Sequence, residues 1–559
     1  MIWQLPKKVP QEIKERFPEI HPIILSILYS RGLDTQEKVD EFLLPDYSQD
    51  VHNPFLFNDM ARAIERLKQA RDKKEKVVIY GDFDADGVTS ATLLFKAFQK
   101  FGLKRINLYL PDRDVEGYGL NEKAVKEFHK KGVNLIVTCD CGVTNVWEVD
   151  LANKLGMEVI ITDHHLEEEK IPNALAVIDP KVKKEKYPFG DLAGVGVAFK
   201  LAQALLSNHH TSESEAFLKW LLDLVAVGTI TDRMPLLGEN RTLVKYGLVV
   251  LNKTSNLGLR ALIKKAGLTL DNINSEDISY RLGPRLNVAG RIDHANDALF
   301  LLLSKDKEKI NFLADKIETM NRKRQKMVDD IILDIKNNFS KKLENKLIFI
   351  TGKSWTNGIL GLVANKLLDE YGKPAIIVSQ TKKEIKGSGR SHPPLDLFEI
   401  LNKFKDYLKS FGGHKQAVGF ELKDEKFLPL LEEGLLKEIA KLKEQKFGQK
   451  IQIDSVVKLE DINWDIYEEV KRFAPFGQAN EMPKFLVKNI KLTNLETVGQ
   501  KGEHRRMIFE GGKKMIYFSA DASKDLKVGD YYNVVFTLSV NQWNGEQELE
   551  MKVIDIKRV

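Results

Sequence analysis

The stretch KVVIYGDFDADG, residues 76–87, runs from an apolar, β-branched segment directly into three acidic residues. Its first half has the composition of a buried strand. A calcium-binding EF-hand would require a bidentate glutamate at the twelfth loop position and a helix on each side, but the twelfth residue from Asp82 is Leu93. A solvated acidic turn is the other simple interpretation. Because open α/β sheets bind ligands beyond the carboxyl ends of their strands, the pattern favours a ligand site at Asp82, Asp84 and Asp86.

The composition indicates a globular chain of several domains. The 559 residues are 43% hydrophobic and 30% charged, which suits about three to five domains. The first residues lack the regions of a secretory signal, and no uninterrupted apolar run is long enough to span a membrane. The only cysteines, Cys139 and Cys141, are too few for structural zinc and are typical of a reducing compartment. We therefore expect a cytoplasmic protein without membrane attachment, whose net charge of +6 permits nucleic-acid binding without indicating it.

Strand-like and helix-like segments alternate beyond residue 70, and this alternation predicts an α/β fold with a parallel sheet. The predicted strands of that sheet are 76–80, 106–110, 135–139, 158–162 and 174–178. Helical patterns dominate from about 194 to 340, and the charged stretch 305–345, nearly free of Gly and Pro, predicts a connecting helix. A second α/β unit follows, with strands near 347–351 and 375–379, and β-type alternation beyond 446 predicts a small barrel. The predicted domain ranges are 1–70 (helical, packed on the catalytic domain), 71–304 (catalytic), 305–345 (connecting helix), 346–446 (substrate-binding) and 447–559 (barrel).

Acidic residues follow other apolar segments in the same way. Asp140 follows the strand 135–139, the triplet Asp163-His164-His165 follows 158–162, and Asp232 ends the apolar stretch before it. A single acid in this position is often only a helix N-cap. Four segments that repeat one strand-then-acid pattern should instead converge at one sheet edge. Carboxylates with one or two imidazoles suit Mn²⁺ or Mg²⁺, and two such ions promote phosphoester hydrolysis.

Two glycine-rich motifs in the second α/β unit suit phosphate binding. GSGRS offers the hydroxyls of Ser388 and Ser391 and the guanidinium of Arg390, which can fork onto a phosphate. GGH offers the unhindered N–H groups of Gly412 and Gly413 beside the imidazole of His414. Each motif alone is more simply interpreted as a glycine-rich turn, and the pair together favours a site. A third glycine pattern, AGVGVAFK at 193–200, lacks the last glycine of a dinucleotide fingerprint and predicts a tight turn that opens a helix.

The predicted barrel mixes aromatic and basic residues, a composition that suits stacking on single-stranded nucleic acid. The simpler interpretation is that each aromatic ring belongs to the core. The residues concerned are Phe509, Tyr517, Phe518 and Trp543 among His504, Arg505, Arg506, Lys513 and Lys514.

Taken in order, these motifs resemble the DHH/DHHA1 phosphoesterase superfamily, and over nearly the whole chain they are similar to its members that degrade single-stranded DNA from the 5′ end. The stretch NQWNGEQELE (541–550) is similar to that family's OB-fold. Local departures are Thr356, where the family commonly has His, and Ala479, where it has Gly. The other segments are YGDFDADGVTS (80–90), PDRDVEGYGL (111–120), DHH (163–165), YPFGDLAGVGVAFKLA (187–202), GTITDRMPLLGENR (228–241), GPRLNVAGR (283–291), GSGRS (387–391), GGHKQAVGF (412–420) and PFGQANEMP (475–483).

The resemblance implies a site for two divalent cations, Mn²⁺ or Mg²⁺, and a 5′-phosphate pocket made by Arg113, Ser388 and Arg390. His165 would be a ligand or would steady the scissile phosphate, and Asp163 would orient the histidines. The implied metal ligands are Asp82, Asp84, Asp86, Asp140, His164 and Asp232. The implied catalytic residues are Asp84, Asp140, His164, His165 and Asp232. The implied phosphate-binding residues are Arg113, Arg285, Arg291, Ser388, Arg390, Ser391, Gly412, Gly413 and His414.

The resemblance further implies hydrolysis of single-stranded DNA to mononucleotides in repair and recombination, beside a helicase and a single-strand-binding protein. A phosphodiesterase of the same superfamily, acting on short oligoribonucleotides or cyclic dinucleotides, is the alternative enzyme. Such relatives usually lack the N-terminal segment and the barrel predicted here. A catalytically inactive replication scaffold on the same fold is a third hypothesis, and the presence of every motif acid argues against it.

Overall fold

A computed structural model describes residues 2–113, 115–207, 211–442, 450–499, 502–518, 525–543 and 546–559. The chain divides into two compact units. The larger unit consists of Trp3–Gly290, Ala295–Ala314 and Ile451–Val559, and the smaller of Met1–Ile2, Arg291–His294 and Asp315–Lys450. Among the described residues, no helix has both the length and the apolar character needed to cross a membrane.

The N-terminal residues form one short strand and five helices. The second and third helices begin at recognisable caps: the His21 side chain accepts from the Ile23 N–H, with proline at the first helical position, and Thr35 caps the third helix. The elements are β1 Ile2–Gln4, α1 Gln11–Arg16, α2 Pro22–Ser30, α3 Gln36–Leu43, α4 Tyr47–Asp50 and α5 Met60–Asp72.

The first α/β segment is a five-stranded, wholly parallel sheet, as the sequence predicts. Its strands and helices are β2 Val77–Gly81, α6 Ala85–Phe101, β3 Ile106–Tyr109, α7 Glu122–Lys130, β4 Leu135–Cys139, α8 Val146–Lys154, β5 Glu158–Thr162 and β6 Ala176–Ile178. The strand order is β3-β2-β4-β5-β6. Both faces of β2 and β4 are buried, which explains their continuous apolar sequences. The register pairs Gly81 with Cys139 and Cys139 with Thr162, so the carboxyl ends of three strands meet at one edge.

A helical region follows the sheet. AGVGVAFK opens a helix, as predicted, but the segment before Asp232 is a helix and not a strand, so the predicted strand-then-acid pattern is wrong there. The helices are α9 Gly194–Leu206, α10 Ser212–Trp220, α11 Leu222–Thr231, α12 Gly238–Leu251, α13 Leu257–Lys265, α14 Ser275–Asp277, α15 Gly283–Ile292, α16 Asn296–Leu303, α17 Lys307–Asn338 and α18 Ser340–Leu343. α11 is buried on all sides, and a helix of that kind carries no amphipathic period in its sequence.

The smaller unit contains a mixed five-stranded sheet in the order β10-β11-β9-β8-β7, in which only β7 and β8 are parallel. Its elements are β7 Ile348–Lys353, α19 Leu360–Tyr371, β8 Ala375–Gln380, β9 Ile385–Arg390, α20 Leu397–Asn402, β10 Leu408–His414, β11 Ala417–Leu422 and α21 Phe427–Lys441. GSGRS and GGH therefore lie largely in strands, and their interpretation as glycine-rich turns is wrong. Gly387 is required because the ring of its partner Phe420 fills the space of a Cβ.

The C-terminal residues form a closed five-stranded barrel. The elements are β12 Lys450–Gln452, β13 Ser455–Val456, α22 Trp464–Lys471, β14 Phe485–Val498, β15 His504–Phe509, β16 Lys514–Tyr517, β17 Tyr531–Trp543 and β18 Glu546–Arg558. β14 pairs with both β15 and β17, which closes the ring through β16 and β18. Apolar side chains of α1–α3, such as Phe17 and Leu28, share one hydrophobic core with Phe485 and Phe509 of the barrel. The predicted fold class is confirmed in its sheet, connecting helix, second α/β unit and barrel.

Candidate metal centre

The sheet edge brings the predicted acids together. Asp82 follows β2, Asp140 follows β4 and His164 lies two residues after β5, and all three side chains are at least 95% buried. Asp140 has φ 61°, in the left-handed region that non-glycine residues rarely adopt. Strained backbone of this kind persists where the surrounding structure fixes it, typically at functional sites.

His164 lies at the centre of the cluster. Its Nε2 is 3.1 Å from Asp140 Oδ1, 3.5 Å from Asp232 Oδ2 and 4.0 Å from Asp86 Oδ2. Asp232 reaches this point from the C-terminal end of α11, and Asp86 from the first turn of α6. Side chains at helix ends and side chains just after strands therefore both contribute to the site.

The side chains fit divalent cations. Ligand atoms of Asp82, Asp84 and Asp140 lie within 4.8 Å of one another, and so do those of Asp86, His164 and Asp232. Asp140 and His164 form a further group with His165. Within the described part of the chain, four buried atoms of the cluster have no hydrogen-bond partner: Asp82 Oδ1, Asp140 Oδ1 and both ring nitrogens of His164. Unpaired buried polar atoms are costly, and cations bound among the ligand groups would give Asp82, Asp140 and His164 a partner. Oxygen donors with one nitrogen suit Mn²⁺ and Mg²⁺.

Burial and mutual repulsion shift the pKa values of the acids. Burial, and then the charge of neighbouring aspartates, raises the pKa of Asp140 and Asp232 well above the usual carboxyl range. The same causes raise the pKa of Asp86 to about 7. Burial and the adjacent His165 lower the pKa of His164, which leaves the neutral imidazole that a metal requires. The carboxylates of the cluster therefore repel one another, and the neutral imidazole of His164 does not balance their negative charge.

Asp163 faces away from this cluster and holds His165. Its Oδ1 is 2.8 Å from His165 Nδ1, and its Oδ2 accepts from the Val143 N–H at 2.9 Å. Burial opposes both charges, yet the hydrogen bond and attraction between the two residues lower the pKa of Asp163 and raise the pKa of His165 to about 9. Asp163 thus contacts the ring of His165, and the orienting role stays a prediction.

Comparison with known proteins places this geometry in a family. The model for the N-terminal domain of the DHH family matches residues 76–229, the DHHA1 domain model matches 344–445 and the RecJ OB domain model matches 453–555. The single-stranded-DNA-specific exonuclease RecJ of Bacillus subtilis is 36% identical over 569 residues, which cover 99% of this chain and 70% of that protein. The chain belongs to the RecJ family.

Other RecJ proteins agree over similar lengths. Escherichia coli RecJ is 28% identical, with 99% of both chains covered. The crystal structure of Thermus thermophilus RecJ in complex with Mn²⁺ matches with a TM-score of 0.85 at 26% identity, covering 100% of this chain and 79% of that one. A second RecJ structure bound to manganese matches with a TM-score of 0.59 at 32% identity, covering 69% of this chain and 95% of that one.

Several residues around the centre were missed from the sequence. Asp179 directly follows β6, is fully buried and continues the strand-then-acid pattern, so the same pattern could have found it. Tyr118 donates to the Asp140 carbonyl at 3.2 Å, and its hydroxyl lies 2.9 Å from His165 Nδ1. The N–H groups of Gly194 and Val195, at the N-terminus of α9, donate to the two oxygens of Asp86 at 2.7 and 2.8 Å. Backbone donors of this kind carry no residue-type signal.

Two of the arginines predicted to bind phosphate lie in the larger RecJ unit. The Arg113 guanidinium is exposed and lies 5.2 Å from the ring centre of Phe83, inside the DFDADG motif. Its charge acts on Asp82. Arg285 donates to the Arg281 carbonyl at 2.7 Å from within α15. Arg113 is thus the predicted phosphate contact that the described structure brings beside the carboxylates.

The smaller RecJ unit holds the other predicted phosphate contacts. Ser388 and Arg390 lie on the same face of β9, and Arg390 Nη1 donates to Ser388 Oγ at 3.1 Å. Ser391 does not join Ser388 and Arg390, because its buried hydroxyl donates to the Leu395 carbonyl. Gly412 is in register with Ser388 through Gly419 of β11, so the two motifs share one row of the sheet. Gly413 and His414 continue the exposed edge strand, while Arg291 donates to the Gly358 carbonyl at 3.2 Å.

The aromatic residues of the barrel separate into two groups. Phe509 and Tyr517 belong to the core, as their simpler interpretation predicts. Phe518 is 47% exposed, lies 5.1 Å from His504 and has the Lys552 ammonium 5.9 Å from its ring. The side chain of Trp543 lies outside the described residues.

Proposed function

We propose that this chain is an exonuclease that hydrolyses single-stranded DNA from the 5′ end to mononucleotides, with two divalent cations, in DNA repair and recombination. The observation that carries the proposal is the pair of ligand groups around Asp140 and His164 in a chain of the RecJ family. The curated relatives are named single-stranded-DNA-specific exonucleases.

Two cations are proposed because two of the three ligand groups have no residue in common. Asp82, Asp84 and Asp140 make one group of oxygens, and Asp86, His164 and Asp232 make the other, with Asp140 Oδ1 and His164 Nε2 adjacent between them. Divalent cations held there would supply Lewis-acid polarisation of a phosphodiester and would lower the pKa of the attacking water.

The protein itself would orient the reacting groups. His165, kept protonated by Asp163, can donate a hydrogen bond to a non-bridging phosphate oxygen. The Tyr118 hydroxyl lies 2.9 Å from the same ring nitrogen that Asp163 holds, His165 Nδ1, and adds a second polar contact there. Arg113 offers an exposed guanidinium near Asp82, where it can hold the terminal 5′-phosphate so that a fixed phosphodiester lies over the carboxylates. Ser388 and Arg390, already hydrogen-bonded to each other, are proposed to bind phosphate as well.

A phosphodiesterase for short oligoribonucleotides or cyclic dinucleotides remains the alternative enzyme. The closed barrel with an exposed Phe518 beside His504 favours a longer single strand, since stacking surfaces and basic groups extend a binding site along the backbone. A helicase and a single-strand-binding protein stay predicted partners.

The direct test uses single-stranded DNA labelled at the 5′ or the 3′ end, with blunt duplex and RNA as comparison substrates, in Mn²⁺ or Mg²⁺. We expect 5′-label to be released first as a mononucleotide and duplex to be resistant. Release of the 3′-label first would contradict the polarity, and equal cutting of duplex would contradict the strand specificity. Preferential cleavage of dinucleotides would favour the alternative enzyme.

A further inference from the structure

Helix α15 contacts two of the segments that carry candidate metal ligands. Gly283 packs against Thr231, the residue before Asp232, and Gly290 packs against the carbonyl oxygen of Phe83. Asn287 lies between them in the chain. The spacing of these three positions, i, i+4 and i+7, puts them on one face of the helix.

The contact made by Asn287 is a hydrogen bond to the metal loop. Its Oδ1 accepts from the Ala85 N–H at 2.9 Å, across 202 residues of sequence. Ala85 is the first residue of α6, and the first N–H groups of a helix have no partner within it. The next two, from Asp86 and Gly87, donate to Asp84 Oδ1 at 2.8 and 3.1 Å.

The first three N–H groups of α6 are thus shared between Asn287 and Asp84, and this arrangement sets the orientation of the aspartates. Asp84 therefore caps the second and third N–H groups of α6, which is the usual reach of an N-cap side chain, and leaves the first to Asn287. Asp84 at the same time belongs to the ligand group with Asp82 and Asp140. Without an acceptor at position 287, the Ala85 N–H would be left unpaired, and the start of α6, which carries Asp86 and follows Asp84, would lose this attachment to α15.

We propose that Asn287 is a positioning residue of the metal centre: its side-chain oxygen holds the N-terminus of α6 so that Asp84 and Asp86 keep the orientation that binds the cations. The proposal rests on the metal centre proposed above. Close packing of Gly283 and Gly290 sets the distance between α15 and the two ligand segments. A Cβ at position 290 would overlap the Phe83 carbonyl.

The test measures Mn²⁺ binding to the full-length protein by calorimetry, with no DNA present. Asn287→Leu keeps the branching at Cγ and removes the acceptor, and Asn287→Asp keeps the oxygen. Asn252→Leu is the matched control, because Asn252 Oδ1 accepts from the Ile273 N–H at 2.8 Å in an equally half-buried position away from the centre. We expect Asn287→Leu to weaken Mn²⁺ binding by about 10- to 100-fold, Asn287→Asp to restore most of it and Asn252→Leu to leave it unchanged.

Kinetics and a second variant complete the test. A residue that does not touch the substrate should lower kcat and leave KM for single-stranded DNA nearly constant at saturating Mn²⁺. If Asn287→Leu does not fold, Gly290→Ala displaces the same helix from the metal loop at the Phe83 carbonyl and so changes the position of Asn287, with Gly258→Ala, a helical glycine against the Leu301 carbonyl, as its control. Wild-type Mn²⁺ affinity in Asn287→Leu, or in Gly290→Ala, would overturn the positioning role of Asn287 and would leave the proposed metal centre standing. A wild-type protein that binds no Mn²⁺ would overturn the metal centre and the inference together.

Discussion

His164 Nε2 lies 3.1 Å from Asp140 Oδ1, and within the described residues neither atom has a hydrogen-bond partner. The imidazole is held neutral and the carboxylate is surrounded by other carboxylates. Two lone pairs therefore face each other unless a proton or a cation lies between the two atoms. The centre costs stability in the metal-free protein, and this cost can be measured.

Asp140→Asn should separate metal binding from stability. It removes one charge from the cluster, so we expect the metal-free protein to become more stable, by about 1–2 kcal/mol, while nuclease activity falls by at least about 100-fold. Urea unfolding in EDTA and a single-strand nuclease assay measure the two effects. Asp223→Asn is the control, because Asp223 is also buried but is hydrogen-bonded to Thr254, at the opposite end of α11 from Asp232. Equal nuclease loss in both variants would contradict the assignment.

The raised pKa of Asp86, about 7, predicts how stability depends on pH. Because the folded value lies above that of an unfolded aspartate, the unfolded state releases its proton first. Stability of the metal-free protein is then highest at acidic pH and is lost as pH rises through about 7. We expect thermal unfolding in EDTA to show a falling Tm between pH 5 and 8.

Mn²⁺ should reverse that trend, since binding requires the ionised acids and releases their protons. The comparison is the same pH series with saturating Mn²⁺, together with calorimetry in buffers of different ionisation enthalpy. We expect proton release on binding at pH 6.5 and weaker affinity at lower pH. A Tm that does not depend on pH in EDTA, together with no proton release on Mn²⁺ binding, would show that ionisation of these acids is linked neither to folding nor to metal binding.

Three segments of the chain show how much of the fold could be predicted from the sequence. The strands before Asp82, Asp140 and Asp163 were predictable because fully buried parallel strands are continuous apolar runs. The helix before Asp232 was not, because α11 is apolar on all faces and a short apolar run does not distinguish helix from strand. The strand at GSGRS was not predictable, because the need for glycine at Gly387 comes from a ring on another strand.

The shared core of α1–α3 and the barrel also left no signal in the sequence. Phe17 and Phe509 belong to the same cluster of buried side chains, although hundreds of residues separate them. The sequence of each of these segments has only the pattern of an ordinary amphipathic helix or an ordinary strand. The partner of an apolar face is a property of the three-dimensional fold.

The backbone conformation of Ala479 predicts a stabilising substitution. It adopts φ 60°, which costs a residue with a Cβ about 1–2 kcal/mol. Glycine removes that cost but loses more backbone entropy on folding, about 0.5–1 kcal/mol. We expect Ala479→Gly to raise the free energy of unfolding by about 0.5–1 kcal/mol in urea titrations. Ala474→Gly nearby, where φ is not positive, should destabilise instead, and a loss of stability in both would contradict the argument.

Arg241 joins three parts of the larger unit, and its replacement should uncouple them. Its buried guanidinium donates to the carbonyls of Phe42, Phe473, Arg472 and Ala474 at 2.7 to 3.1 Å and lies 3.9 Å from the Phe42 ring centre. Arg241→Leu would leave these acceptors without their donor, so we expect a loss of at least about 3 kcal/mol.

The same variant should change how the barrel unfolds. Since the residues around Arg241 belong to α3, α12 and the segment after α22, we expect limited proteolysis to release a C-terminal fragment from Arg241→Leu before the wild type is cut. Arg260→Leu is the control, because that exposed arginine donates from Nε to the Thr254 carbonyl. If Arg241→Leu unfolds with wild-type stability and resists proteolysis, the hydrogen bonds of Arg241 do not hold the barrel to the catalytic helices, and the shared hydrophobic core alone performs that role.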